Sequence, residues 1–79
     1  MPRYFFHHVW KAGQVRDLEG SELPDLEHAR TEAIMDARSL MSDAIRQGRD
    51  ISSRSIQISD EGGTVLLTVP FADAVIRDD

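Results

Sequence analysis

The feature that most constrains the fold is an amphipathic stretch between Asp25 and Gly48. Its apolar residues recur at steps of three and four, which places them on one face of a helix: Leu26, Ala29, Ala33, Ile34, Ala37, Leu40, Met41, Ala44 and Ile45. Asp25 is a preferred N-cap residue, and Gly48 suits the left-handed position that follows a helix C-terminus. The pattern predicts one long helix whose apolar face must be covered by another layer of structure.

Short segments with strand character lie on both sides of this helix. Residues 3–10 alternate aromatic and β-branched side chains, and with residues 14–18 they predict a first hairpin. Residues 55–60 and 64–69 predict a second hairpin around Gly62-Gly63. The order β-β-α-β-β predicts an α+β fold, with a small antiparallel or mixed sheet packed against one long helix. Residues 1–79 are expected to form a single domain.

The same patterns predict a core and a C-terminal element. The core residues are expected to be Phe5 or Phe6, together with Leu26, Ala33, Ala37, Leu40, Ile56, Ile58, Leu67 and Val69. Residues 71–76 predict either a last helical turn or a strand, and Asp78-Asp79 is expected to fray.

The length of the predicted helix favours self-association. A helix of about 22 residues is about 33 Å long, whereas strands of about six residues reach only about 20 Å. The apolar residues near the helix C-terminus are therefore expected to project beyond the sheet and form a self-association surface: Leu40, Met41, Ala44 and Ile45. The chain has 79 residues and no cysteine, so a partner subunit is an available source of stability where disulfides are not. We expect a homodimer.

Composition argues against several classes of function. The net charge of −5 disfavours a general phosphate-binding surface, so nucleic-acid binding is not expected. An alternative is a nucleic-acid-associated regulator that uses a local basic patch made of Arg38, Arg46, Arg49 and Arg54. No apolar run approaches the roughly 18 residues of a membrane span. No signal pattern precedes the first strand, and a cytoplasmic location is expected by default.

The remaining chemistry-bearing residues do not form a recognisable catalytic motif. His7 and His8 are neighbours on a strand and point to opposite faces, so they cannot easily share one metal ion. Five acidic residues cluster before and at the helix start, and they offer a divalent-cation site as a further alternative: Asp17, Glu19, Glu22, Asp25 and Glu27. Turn formation and helix capping explain this cluster without a metal. No catalytic residue, cofactor or metal site is predicted, and the chain is not expected to be an enzyme.

Several segments together resemble a known family. They are the opening MPRYFF, the segment RDLEGSELPDLEHARTEA before and within the helix, and the strand VLLTVPF. Their pattern resembles a family of small bacterial proteins, abundant in rhizobia-like soil bacteria, that is catalogued as a domain of unknown function. The residues that match this pattern span nearly the whole chain: Asp17, Gly20, Glu22, Leu23, Pro24, Asp25, Ala29, Ala33, Leu67 and Phe71. The resemblance implies a fold and a source, and it implies no activity.

These observations predict a small, non-enzymatic module for protein interaction or regulation. It is expected to form a homodimer, and the alternative is a complex with a protein partner that the sequence does not identify.

Overall fold

The computed structural model describes residues 1–78 and consists of one long helix and short strands. In chain order the elements are β1 (Arg3–Trp10), β2 (Gly13–Val15), β3 (Ser21–Glu22), α1 (Leu26–Arg46), β4 (Ser55–Ser59), β5 (Val65–Pro70) and a 3-10 helix (Phe71–Ala74). This order confirms the predicted α+β arrangement and adds the two-residue strand β3. Of the predicted fraying at Asp78-Asp79, the part that concerns Asp79 lies outside the described residues.

All strand pairs in the sheet are antiparallel, in the order β2-β1-β4-β5. The two shortest strands pair with opposite ends of β1: β2 pairs with His8–Trp10 and β3 with Arg3 and Tyr4. β4 pairs with the middle of β1, and β5 pairs with β4 through a register that shifts between Ile58 and Ser59. The β5 side of the sheet therefore ends in one continuous strand, whereas the other side ends in two short ones.

Both helix ends follow the predicted capping chemistry. An Asp25 side-chain oxygen, Oδ1, accepts the His28 N–H at 2.9 Å, which satisfies one of the free donors of the first turn. Gly48 has a φ of 76°, the left-handed conformation that glycine adopts without strain. The helix begins at Leu26, directly after its predicted N-cap, and ends at Arg46. Within residues 1–78 no helix combines the length and the apolar character needed to cross a membrane.

The core lies between α1 and the sheet half formed by β4 and β5, and the 3-10 helix closes it. The buried apolar residues are Tyr4, Ala29, Ala33, Ala37, Ala44, Ile51, Ile56, Ile58, Val69, Phe71 and Ala74. Small alanines on the helix allow it to approach the larger β-branched side chains of the sheet. Phe6, Leu40 and Leu67 pack against this core and remain partly exposed.

Two details of the predicted core are wrong. Leu26 is exposed, because it is the first residue of α1 and the buried part of the helix face begins one turn later, at Ala29. Tyr4 and Phe71 are fully part of the core although the sequence did not assign them to it. The periodic pattern identifies the apolar face of a helix, but it does not locate the edge of the layer that covers that face.

The chain itself covers most of the helix end that was expected to project beyond the sheet. Ala44 is buried, Leu40 and Met41 are half-buried against the core, and Ile45 is 65% exposed. Ile51, which follows the helix, belongs to the same buried cluster as Ala44, and the 3-10 helix also packs against α1. The comparison of helix and strand lengths did not include these two segments. Of the four residues of the expected self-association surface, Ile45 is thus exposed, Leu40 and Met41 are partly exposed, and Ala44 is buried.

Candidate functional site

The connection between β2 and β3 is organised around the side chain of Asp17. Its Oδ2 accepts the Phe6 N–H at 3.1 Å. This N–H group lies between the segments of β1 that pair with β2 and β3, so Asp17 gives it the hydrogen-bond partner that neither strand provides. Its Oδ1 accepts the N–H groups of Glu19 at 3.2 Å and Gly20 at 3.1 Å, which fold the loop back. Burial alone would raise the pKa of this carboxyl, but the three N–H donors and the nearby His7 outweigh it and hold the pKa below its usual value.

This loop explains why β2 ends at Val15 and not at the predicted Leu18. The Asp17 side chain provides the partner that β1 would otherwise need from a longer β2, and Leu18 points to solvent. Gly20 then turns the chain into β3 with a φ of 71°. A Cβ atom at Gly20 would lie 2.9 Å from the carbonyl oxygen of Tyr4, so this close approach requires glycine.

A hollow of about 180 Å³ lies beside this loop. It is lined by Phe5, His7, Arg16, Asp17, Leu18, Ser59, Asp60, Glu61 and Gly63. His7 is 6% exposed, and its Nδ1 accepts the Asp17 N–H at 3.1 Å, so the neutral ring carries its proton on Nε2. Burial and Arg16 lower the pKa of His7, and Asp17 acts in the opposite direction. His7 is therefore a neutral ring at neutral pH, with its Nε2–H as a hydrogen-bond donor and its Nδ1 occupied by the Asp17 N–H.

A second hollow, the β1–α1 groove, lies on the helix side of the sheet. It exists because α1 packs over β4 and β5 and leaves the helix side of β1 partly uncovered. Its volume is about 260 Å³, and it is lined by Phe6, His8, Asp36, Ser39, Leu40 and Ile56. The sheet residues provide an apolar and aromatic floor, and the helix provides a polar wall.

Aromatic contacts fix the Trp10 end of the strand that forms this groove. The His8 ring centroid lies 5.3 Å from that of Trp10 and 5.2 Å from that of Phe71. The Arg54 guanidinium carbon lies 4.9 Å from the centroid of the Trp10 ring, and its Nη1 lies 3.5 Å from Nε2 of His8. Burial, and then the charge of Arg54, lower the pKa of His8, so its ring is neutral at physiological pH.

Asp36 is the ionisable residue on the helix wall of the β1–α1 groove. Its side chain is half-buried, and the Lys or Arg ion pair found within residues 1–78 is Arg3–Glu22. Asp36 thus has no cationic partner in that part of the chain. Burial raises the pKa of the Asp36 carboxyl, and the charges of Glu32 and Asp17 raise it further.

The outer edge of β5 is a third surface with binding potential. β5 pairs with β4 on one side and has no strand partner on the other among the described residues. Its residues, VLLTVP, carry no charge, and Val65, Leu66 and Thr68 are exposed. Natural proteins usually protect such an edge with charged residues, very short strands, proline or β-bulges. β5 carries no charge, but it ends in Pro70 and its register with β4 shifts near its start.

The four arginines of the predicted basic patch contact different parts of the fold. Arg38 Nε donates to the carbonyl oxygen of Ala74 at 2.6 Å, in the 3-10 helix. Arg54 lies over Trp10 of β1. A guanidinium nitrogen of Arg49, Nη2, donates to Oε1 of Gln47, the residue after α1, at 2.8 Å, and Arg46 is exposed in the last turn of α1. At least Arg38 and Arg54 are thus held by separate elements.

The acidic segment before the helix is used mainly for local structure. Asp17 organises the loop, Asp25 caps the helix, and Glu22 forms an ion pair with Arg3 at 3.4 Å. Within residues 1–78 no group of three or more histidine, aspartate or glutamate side chains is arranged to hold a metal ion.

Two residues of these surfaces, Asp36 and Thr68, were not singled out from the sequence. Asp36 lies beside the apolar helix face, between Ala33 and Ala37. A carboxylate in that position indicates a charged group at the border of the core, and this pattern could have identified Asp36 as a candidate binding residue. Thr68 lies in a strand without charged residues, which indicates an unprotected edge only once the strand order is known.

Comparisons with known proteins identify a family and add no activity. No curated protein and no solved structure matches the chain. A family model described as "Domain of unknown function (DUF6894)" matches residues 3–72, which includes every strand, the long helix and the start of the 3-10 helix. The chain therefore belongs to the DUF6894 family, a domain of unknown function.

Proposed function

We propose that this protein is a non-enzymatic interaction module with a regulatory role, and that it forms a homodimer by pairing the β5 edges of two copies. The observation that carries the proposal is the continuous, uncharged and unpaired outer edge of β5. Two such edges can pair in antiparallel register and extend the sheet across the dimer, which satisfies backbone groups that water would otherwise solvate.

The direction of the backbone groups supports this pairing. The Phe6 N–H is directed away from β4, towards Asp17, so Phe6 and its partner Ile58 form a pair without mutual hydrogen bonds. The backbone groups of Ile58 are then directed towards Leu67 of β5. Because directions alternate along a strand, the next residue, Thr68, directs its N–H and C=O outward.

A second copy is the occupant that the surroundings of β5 favour. A hollow of about 220 Å³ flanks the strand on the helix side and is lined by Arg30, Ile34, Leu67, Thr68, Val69, Pro70 and Asp73. It combines an apolar surface with one cation and one anion. A two-fold interface needs a patch that is complementary to itself, and Arg30 opposite Asp73 of another copy meets that condition. A basic or an acidic partner would match only one of these charges.

Replacement of Thr68 by lysine tests the proposal. Thr68→Lys is expected to yield a monomer, since a lysine on an edge strand prevents pairing with another edge. Sedimentation at tens of micromolar should give a dimer for the wild-type chain and a monomer for this variant. Thr64→Lys is the matched control, because Thr64 is an exposed residue of the β4–β5 turn and its backbone bonds to Asp60 do not involve its side chain.

Three results would contradict the proposal: a monomeric wild-type chain, an unaffected Thr68→Lys dimer, or an equal loss of dimer in Thr64→Lys. We also propose that the protein has a bacterial source and a cytoplasmic location. The resemblance of MPRYFF and the helix-start segment to the rhizobia-like bacterial group supports the source.

A further inference from the structure

We infer that the β1–α1 groove binds an arginine side chain of a basic partner polypeptide, with the Asp36 carboxylate as its ion-pair partner. This site is separate from the proposed dimer interface. α1 lies over β4 and β5, and the groove lies on the β1 side of the helix, away from the β5 edge. Pairing of β5 edges therefore leaves the groove accessible in both copies.

The first argument is the missing partner of Asp36. A half-buried carboxylate loses part of its hydration, and this loss is costly unless a cation or hydrogen-bond donors replace the water. Within residues 1–78, no Lys or Arg side chain lies within ion-pair distance of Asp36. Glu32, one turn earlier on the helix, adds a second negative charge near it. The helix wall of the groove therefore favours a cation.

The second argument is the shape and chemistry of the floor. Phe6, His8 and Ile56 form the sheet side of the groove, and Leu40 adds an apolar side chain one turn after Asp36 on the helix. Phe6 contributes a planar ring, whereas the His8 ring is already in contact with Trp10, Phe71 and Arg54. A guanidinium group is planar and weakly hydrated, so it stacks on aromatic rings while it donates to a carboxylate. An ammonium group is more strongly hydrated and gains less from such a floor. The volume of about 260 Å³ accommodates one long side chain rather than a large ligand.

The third argument identifies the source of the arginine. The chain's own Arg54 is held over Trp10 and beside His8, so it does not occupy the Asp36 wall. The chain carries a net charge of −5, which steers basic molecules towards it and repels a second acidic copy at any surface that lacks compensating cations. A basic polypeptide segment combines this long-range attraction with a side chain that fits the groove.

A pair of blocked tripeptides tests the inference on the wild-type chain. Acetyl-Gly-Arg-Gly-amide is expected to cause saturable chemical-shift changes in Phe6, His8 and Leu40 in NMR titrations. The analogue with citrulline has nearly the same shape but no charge, and it is expected to bind at least about tenfold more weakly. Equal shifts with both peptides, or no saturable shift with the arginine peptide, would overturn the inference.

Asp36→Asn provides the test on the protein side. The variant is nearly isosteric and removes a partly desolvated charge, so it is expected to fold with undiminished stability and to lose most of the arginine-peptide binding. Asp43→Asn removes the same charge from an exposed residue of the same helix that does not line the groove, and it is expected to bind like the wild type. Wild-type binding by Asp36→Asn, or an equal loss in Asp43→Asn, would refute the assignment to this groove.

Discussion

Phe71→Ala is expected to leave the protein largely unfolded at room temperature. Phe71 is 0% exposed and is one of the two largest fully buried side chains, and its ring contacts His8 while its N–H donates to the Arg54 carbonyl oxygen at 2.9 Å. Truncation of a buried phenylalanine costs about 3–5 kcal/mol, and a domain of this size has a core worth only about 3–5 kcal/mol. Urea denaturation followed by circular dichroism measures the loss.

Ile76→Ala is the control for this result. Ile76 lies five residues further along the same C-terminal segment and is 90% exposed. Its truncation is expected to change the free energy of unfolding by less than about 0.5 kcal/mol. If Phe71→Ala and Ile76→Ala had similar midpoints, the 3-10 helix would not close the core as described.

Asp17→Ala is expected to lower the free energy of unfolding by about 2–3 kcal/mol, since hydrogen bonds to a charged group each contribute about 1.5–3 kcal/mol and this carboxylate accepts several. The substitution leaves the N–H groups of Phe6, Glu19 and Gly20 without their acceptor. Thermal and urea denaturation should show the loss. A second consequence is faster amide exchange at Phe6, because its N–H has no strand partner to replace Asp17.

Asp17→Asn separates the contribution of the loop hydrogen bonds, to Glu19 and Gly20, from that of the hydrogen bond to Phe6 in β1. Asparagine keeps one acceptor oxygen and is suited to the loop that Oδ1 organises, so the bonds to Glu19 and Gly20 are expected to persist. The amide NH₂ would then replace the oxygen that accepts the Phe6 N–H. We expect an intermediate loss of stability. A wild-type midpoint for Asp17→Ala would show that the loop does not depend on this side chain.

The pKa shifts predict a protein that loses stability in acid. His7 and His8 have pKa values below the ordinary 6.5, so the unfolded chain takes up more protons and stability falls as the pH drops below about 6.5. Asp17 has a pKa below the ordinary 3.8, so its contribution is present above that value and is lost as the pH falls through its folded pKa. Asp36, with a raised pKa, acts in the opposite direction, since its contribution is lost as the pH rises.

Urea midpoints measured between neutral pH and about pH 3 test these signs. The wild-type chain should become less stable in two stages. Asp17→Asn should show a smaller acidic stage, because asparagine does not titrate, whereas Asp25 and Asp50, whose pKa values are lowered by hydrogen bonds with His28 and Ser52, still do. A midpoint that is constant across this range would contradict the assignment of neutral, buried histidines and of a paired Asp17 carboxylate.

Much of the fold was predictable because it is encoded locally. The spacing of Ala29, Ala33 and Ala37 defines the buried helix face, and Asp25 and Gly48 mark its two ends through their capping chemistry. The turn at Gly62-Gly63 separates two strands whose alternation identifies Ile56 and Ile58 as core residues. Each of these inferences depends on neighbours within a few positions in the sequence, and each is confirmed.

The rest depends on contacts between distant segments. Asp17 replaces a strand partner of β1, which shortened β2 and left Leu18 exposed, and no periodic pattern encodes that hydrogen bond. Phe71 was not assigned to the core because the segment after Pro70 has no clear period, although this segment returns to pack against the helix. The β1–α1 groove results from the position of α1 over β4 and β5, so Asp36 acquires its role only through the arrangement of the layers.

The β5 edge and the β1–α1 groove together describe a two-sided module. In the proposed module, one side would join two copies, and the other would present an anionic, aromatic-floored groove in each copy. A dimer of this kind would offer two equivalent groove sites, so a partner with two basic segments would bind more tightly than a partner with one.

The most direct test of the central claim, self-association through β5, is amide hydrogen exchange at Thr68, measured in concentrated and in dilute solution. The Thr68 N–H faces outward from β5 and has no intrachain partner in the described sheet, so it should exchange slowly only when a second copy pairs with it. We predict protection that is present at high concentration, disappears on dilution and is absent in a Leu66→Lys variant of the same edge. Rapid exchange of the Thr68 N–H at high concentration, while the Ile58 N–H remains protected, would contradict the account.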